Sequence, residues 1–178
     1  VMPDTSPRGV ALPGDSDDWA FGVAASYYVD ATQSPWSGSY KMFSFLTSAL
    51  PELLRERFAE QIDFERVGIF GHSVGGHGAV MLGLRRPDLF KSISAFAPML
   101  SPSRVPWGVK AFSNFLGSVE NGADYDSELL ARTYSGPERE ILIDQGTEDK
   151  FLAAQLDAAH FLQACKESGK LHVDYRVH

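Results

Sequence analysis

The sequence predicts an α/β fold with a mostly parallel central sheet and helices on both faces. Three observations predict it. Short apolar, β-branched runs alternate along the chain with stretches of helical periodicity, the pattern of strands joined by crossover helices. Residues 67–84 read VGIFGHSVGGHGAVMLGL, which is a strand-like run, a glycine-flanked turn and a small-residue-rich apolar helix in direct succession. Residues 151–167 are amphipathic at helical spacing and lie between two further strand-like runs.

Taken in order, residues 3–22 are polar and rich in Pro, Gly, Asp and Ser. They read as a long surface excursion, a kind of loop that often carries function. Asp15, Asp17 and Asp18 lack the rest of a calcium loop and read as a solvated acidic turn. Trp19, Phe21, Tyr27, Tyr28 and Trp36 read as packing aromatics. Over residues 40–60, Phe43, Leu46, Leu50, Leu53 or Leu54, and Phe58 recur at three- and four-residue steps, which predicts helix. Pro51 predicts a kink or a second start there. Residues 64–70 read as a buried strand, and Pro87 stops the helix that follows the turn. Residues 91–97 form the next strand, 101–117 a loop and short helix, and 138–144 another strand. The helix over 151–167 turns Leu152, Leu156, Ala159, Phe161 or Leu162, and Cys165 inward, and 171–177 is the last strand.

Composition narrows the function classes. At 178 residues the chain is one domain's worth or part of one. A net charge of −7 argues against nucleic acid and against an anionic membrane surface as partners. No apolar run reaches the length of a membrane span, and no leader pattern opens the chain. Cys165 stands alone, so there is no intrachain disulfide, which suits a reducing compartment. The start at Val1 and the stop at His178 both resemble cuts within or beside strands. The expectation is one domain over 1–178, truncated at both ends, with an unpaired sheet edge that would make it unstable alone.

The chemistry centres on residues 71–75, a G-x-S-x-G match between strand and helix. That context marks a nucleophile elbow, in which a strained turn holds the serine hydroxyl at the sheet edge over a helix N-terminus. Ser73 is therefore the candidate nucleophile, and side chains at Gly71 and Gly75 would obstruct the turn. His72 and His77 lack the spacing of two metal ligands on one helical face; His72 reads as packed beside the elbow and His77 as exposed on the helix. A serine hydroxyl needs a histidine base, and the histidine needs a carboxylate. In α/β-hydrolases the order is Ser, Asp or Glu, His. Asp144, Glu148 and Asp149 are the acid candidates, with Asp144 still in its strand and the other two in the turn. Among the histidines, His160 falls in a helix, His172 starts a strand, and pattern alone favours His178 as the base. One oxyanion donor is the backbone N–H of Val74; the second belongs to a loop after an earlier strand, which does not precede Pro3.

Six stretches and two residue pairs then carry a resemblance. They are PDTSPRG (3–9), the Asp18-Trp19 and Phe21-Gly22 pairs, YYVDAT (27–32), GHSVGGHGA (71–79), SAFAP (94–98), VPWGVKAF (105–112) and LIDQGTEDKFL (142–152). Together, in this order, they resemble the S-formylglutathione hydrolase family, also called esterase D. The resemblance implies the α/β-hydrolase fold and a serine thioesterase that cleaves S-formylglutathione to glutathione and formate in cytoplasmic formaldehyde detoxification. It implies no metal or organic cofactor. Ser73 matches the family nucleophile, Asp149 the acid and Trp107 a tryptophan near the active site. The family's histidine lies in a G-[YF]-D-H-S-Y motif expected just after His178 and absent here, so His178 is set aside as the base. The family's oxyanion loop S-G-L-T-C is also absent, and Val74 stands where methionine is commoner. Oligomeric state stays open, a homodimer included. A general carboxylesterase or acyltransferase of the same fold, and a catalytically inactive fragment or binding module, are the rival readings.

Overall fold

The computed structural model describes residues 1–178. Its sheet has four strands, β1 (Gly68–His72), β2 (Ser92–Phe96), β3 (Arg139–Gln145) and β4 (Leu171–Val177), in the order β1-β2-β3-β4 and all parallel. Each step between strands is a helical crossover, as parallel pairing requires. The helices are α1 (Met42–Ser44), α2 (Leu50–Phe58), α3 (Val74–Arg85), α4 (Pro106–Leu116), α5 (Ser127–Arg132), α6 (Leu152–Gln155) and α7 (Ala159–Ser168).

The predicted α/β class is present, but its helices cover one face of the sheet. Val80 and Leu84 of α3, Ala131 of α5, and Phe161, Ala164 and Cys165 of α7 pack with Ile93, Ala95, Ile141, Ile143 and Leu171 into one core. The opposite face carries Phe70, His72, Ser92, Phe96, Glu140, His172, Asp174 and Arg176, all exposed. Strand alternation places them there: every second residue points away from the helices. Phe70, read as buried, is 69% exposed because β1 is an edge strand and Phe70 lies on that open face.

A second core sits beyond the carboxyl edge. Phe21, Tyr27, Val29, Trp36 and Tyr40, from the segment 21–40, close against Phe112 and Phe115 of α4 and against Met99 and Leu156. The aromatics read as packing are buried, except Trp19, which is 65% exposed. Asp15 corrects the reading of a solvated acidic turn. It is buried, and its carboxylate accepts hydrogen bonds from Leu12 N and Ser16 Oγ.

Two helices and one strand depart from the expected spans. Around Pro51 the chain runs from α1 through a π-helical segment (Phe45–Ala49) into α2, and Leu50 N–H bonds Phe45 O. Proline lacks an N–H, so the Thr47 carbonyl loses its helical donor. Arg86 Nη1 supplies one at 3.2 Å. Residues 151–167 split into α6 and α7, since Asp157 Oδ1 takes the N–H of Ala159 and restarts the helix. Ala159, read as inward, is therefore exposed at the new start. The strand expected over 64–70 begins only at Gly68, because Asp63 takes Glu65 N and Arg66 N into a turn.

Candidate active site

Ser73 lies between β1 and α3 at φ 56° and ψ −119°. A non-glycine residue rarely adopts that conformation, which costs about 1–3 kcal/mol and persists only when its surroundings hold it. Ser73 N–H donates to Phe96 O at 2.8 Å, and Ser73 O accepts from His77 N at 3.0 Å and Met99 N at 3.4 Å. The glycines make room. A Cβ at Gly71 would lie 2.2 Å from Gly75 O, and one at Gly76 would lie 2.9 Å from Pro98 Cβ. Gly75, expected to be obligatory, would meet only Tyr28 Oη at 3.4 Å, so Gly71 and Gly76 are the tight positions. Val74 opens α3, and its N–H is among the helix-end donors that have no intrahelical acceptor.

The two histidines of this motif exchange the places expected for them. His72 is exposed on the open sheet face. His77 is wholly buried, with Nε2 3.3 Å from Tyr27 O, and burial lowers its pKa to about 4. The reversal follows from register: His72 continues the strand alternation of Phe70, whereas the helix turns position 77 toward the Tyr27 segment.

The structure separates the three acid candidates. Asp149 Oδ1 accepts from Phe151 N at 2.9 Å, Asp149 O accepts from Leu152 N at 3.0 Å, and the residue is half-buried. Glu148 is exposed and makes no side-chain hydrogen bond. Asp144 lies one residue before the end of β3 and meets His178 Nε2 at 2.7 Å. His178 is fixed there by its own backbone, which bonds Gln145 O and Thr147 N. Of the remaining histidines, His160 is exposed on α7 and His172 lies 3.9 Å from Glu138. None of the five imidazole rings hydrogen-bonds Ser73.

Trp107 stands at the start of α4, with its ring 4.8 Å from that of Trp19 and 4.9 Å from that of Phe151. Its backbone N–H donates to Oε1 of the buried Gln155 at 3.2 Å. Phe151 belongs to the Asp149 turn, so the tryptophan and the acid share one support. Val74, Trp107, Phe151 and Leu152 all pack against the aromatic core at the carboxyl edge. Ser73, Asp149 and Trp107 thus come from three segments that meet on one rim. Sequence reasoning missed Trp19 and Gln155 as members of this rim. Trp19 reads with the packing aromatics in the sequence, and only its exposure distinguishes it. A groove of about 860 Å³ runs beside β1, past Leu46, Leu50, Ile69 and Phe70, and Ser73 is not among its lining residues.

A parallel sheet with a strained serine at a strand-to-helix turn, and an acidic turn two strands along, is the architecture of α/β-hydrolases. The chain belongs to the esterase family: the family model described as "Putative esterase" matches residues 1–178. An S-formylglutathione hydrolase of Rattus norvegicus is 45% identical over 179 residues, covering 99% of this chain and 62% of that protein. Its counterpart in Arabidopsis thaliana is 45% identical over 168 residues, covering 94% of this chain and 58% of its own length. The solved structure of an S-formylglutathione hydrolase from Agrobacterium tumefaciens matches at TM-score 0.91 and 40% identity, over 99% of this chain and 62% of that one. The chain therefore spans 58% to 62% of the length of these relatives.

Proposed function

We propose that the full-length protein hydrolyses S-formylglutathione to glutathione and formate by serine catalysis, as a cytoplasmic step of formaldehyde removal. The observation that carries this reading is the left-handed Ser73 at the strand-to-helix turn, in a chain whose relatives are S-formylglutathione hydrolases. Ser73 Oγ attacks the formyl carbonyl, and the Val74 N–H takes the oxyanion that forms. A preorganised donor of this kind contributes about 3 kcal/mol. The base is a histidine outside residues 1–178, oriented by the Asp149 carboxylate. The collapsing intermediate expels glutathione as the thiolate, and water then releases formate from the enzyme. Trp107, beside the Asp149 turn, walls the substrate pocket.

The rival within the same chemistry is a general carboxylesterase. Substrate ranking separates them: kcat/KM for S-formylglutathione should exceed that for a simple aryl acetate by a wide margin. Comparable values would favour the general esterase. No helix is long and apolar enough to cross a membrane.

A further inference from the structure

His77 is a buried ionisable group that the proposed chemistry does not use. It sits one helical turn beyond Ser73, wholly buried, and its Nε2 faces the carbonyl oxygen of Tyr27 at 3.3 Å. A carbonyl only accepts, so the ring donates from Nε2 and carries its lone pair on Nδ1. Nδ1 has no partner. A buried polar atom left unpaired is a cost that an apolar side chain would avoid. What the imidazole gains is therefore the bond to Tyr27.

Tyr27 and Tyr28 both have φ 55°, two successive non-glycine residues in the left-handed region. Such a pair needs external restraint. The segment lies over the first turn of α3. A Cβ at Gly78 would sit 2.4 Å from Tyr28 Cδ2, and one at Gly75 would sit 3.4 Å from Tyr28 Oη. Tyr28 thus presses on the helical turn that begins with Val74.

We propose that His77 is a positioning residue, whose Nε2–H tethers the Tyr27–Tyr28 segment so that Tyr28 clamps the first turn of α3 and holds Ser73 and the Val74 N–H in register. This inference rests on the reading of Ser73 as the nucleophile. His77 touches neither substrate nor the reacting atoms; it acts through Tyr27 and Tyr28. The glycines at 75 and 78 belong to the same device, because they let the tyrosine ring lie directly on the helix backbone.

The test uses the full-length protein and a fluorophosphonate that labels active serines, with kcat and KM for an aryl ester measured alongside. His77→Leu removes the donor. Labelling of Ser73 and kcat should both fall about tenfold or more, since small misplacements of a reacting group cost that much or more, while KM moves little. His77→Gln reaches the same carbonyl with an amide N–H and should restore both rates to within about threefold of wild type. If His77→Leu does not fold, His77→Asn replaces it, because its amide is too short to reach Tyr27 and it should be as slow. A donor-less variant as fast as wild type, or a glutamine variant as slow as leucine, would overturn the proposal. A wild-type protein that never labels at Ser73 would instead overturn the nucleophile reading, and the proposal with it.

Discussion

At the scale of single residues, Asp149 has two tasks that can be pulled apart. Its Oδ1 caps the Phe151 N–H, and its negative charge is the feature the triad reading needs. Asparagine keeps the capping oxygen and loses the charge. Asp149→Asn should leave the melting temperature nearly unchanged while lowering kcat for thioester hydrolysis by about 10²–10⁴-fold, the scale seen when a triad carboxylate is neutralised. Glu148→Gln should leave kcat within about twofold of wild type, since an exposed surface side chain away from the chemistry rarely matters. The reverse ranking would move the acid to Glu148. Gly71→Ala is a separate residue-scale case. With Gly75 O 2.2 Å from the new Cβ, the turn must shift, and chemical denaturation should show a loss of about 1–3 kcal/mol. The serine and its leading glycine were legible in the sequence because the motif encodes a backbone conformation directly. The places of His72 and His77 were not, because one follows strand alternation and the other depends on a tyrosine carbonyl fifty residues away.

At the scale of elements, α5 is anchored by charge. Glu128 is fully buried and accepts from Arg104 Nε at 2.6 Å and from Arg132 Nη2 at 3.0 Å. Burial pushes its carboxyl upward, but the hydrogen bonds from Arg104 and Arg132 outweigh this and hold it below the ordinary value. A depressed carboxylate stabilises the fold above its unfolded pKa, and that stabilisation is lost as pH falls through the folded value. The Glu128 share should therefore be complete at neutral pH, begin to fade as pH falls below about 4, and be gone only below the lowered folded value. Glu128→Gln leaves the Arg104 guanidinium without its anion and Arg132 with Glu167 alone, and should cost about 2–4 kcal/mol at pH 7, with a smaller difference from wild type in acid. A gap between variant and wild type that did not narrow as pH falls would contradict this account. Helix α5 itself escaped the sequence reading. Its six residues are too few for periodicity, and its N-cap works through Asp126 Oδ1 to Leu129 N. The break between α6 and α7 escaped for a related reason. The apolar spacing continues across it, and one aspartate side chain decides the restart.

At the scale of the whole molecule, the order β1-β2-β3-β4 explains why distant motifs converge. Each parallel strand ends at the same edge, so the Ser73 turn after β1, Pro98 after β2 and the Asp149 turn after β3 share one rim. Strand alternation with helices was enough to predict this edge, since parallel pairing follows from crossover connections. The aromatic core that roofs the rim was not legible, because it joins residues 21–40 to α4 and no local pattern links them. The central claim is that this rim hydrolyses a formyl thioester through Ser73. The most direct measurement is kcat/KM for S-formylglutathione in the full-length protein, before and after Ser73→Ala. Wild-type turnover should be efficient and fall at least about 10³-fold in the variant, with an unchanged melting temperature. Turnover that survives the substitution would contradict it.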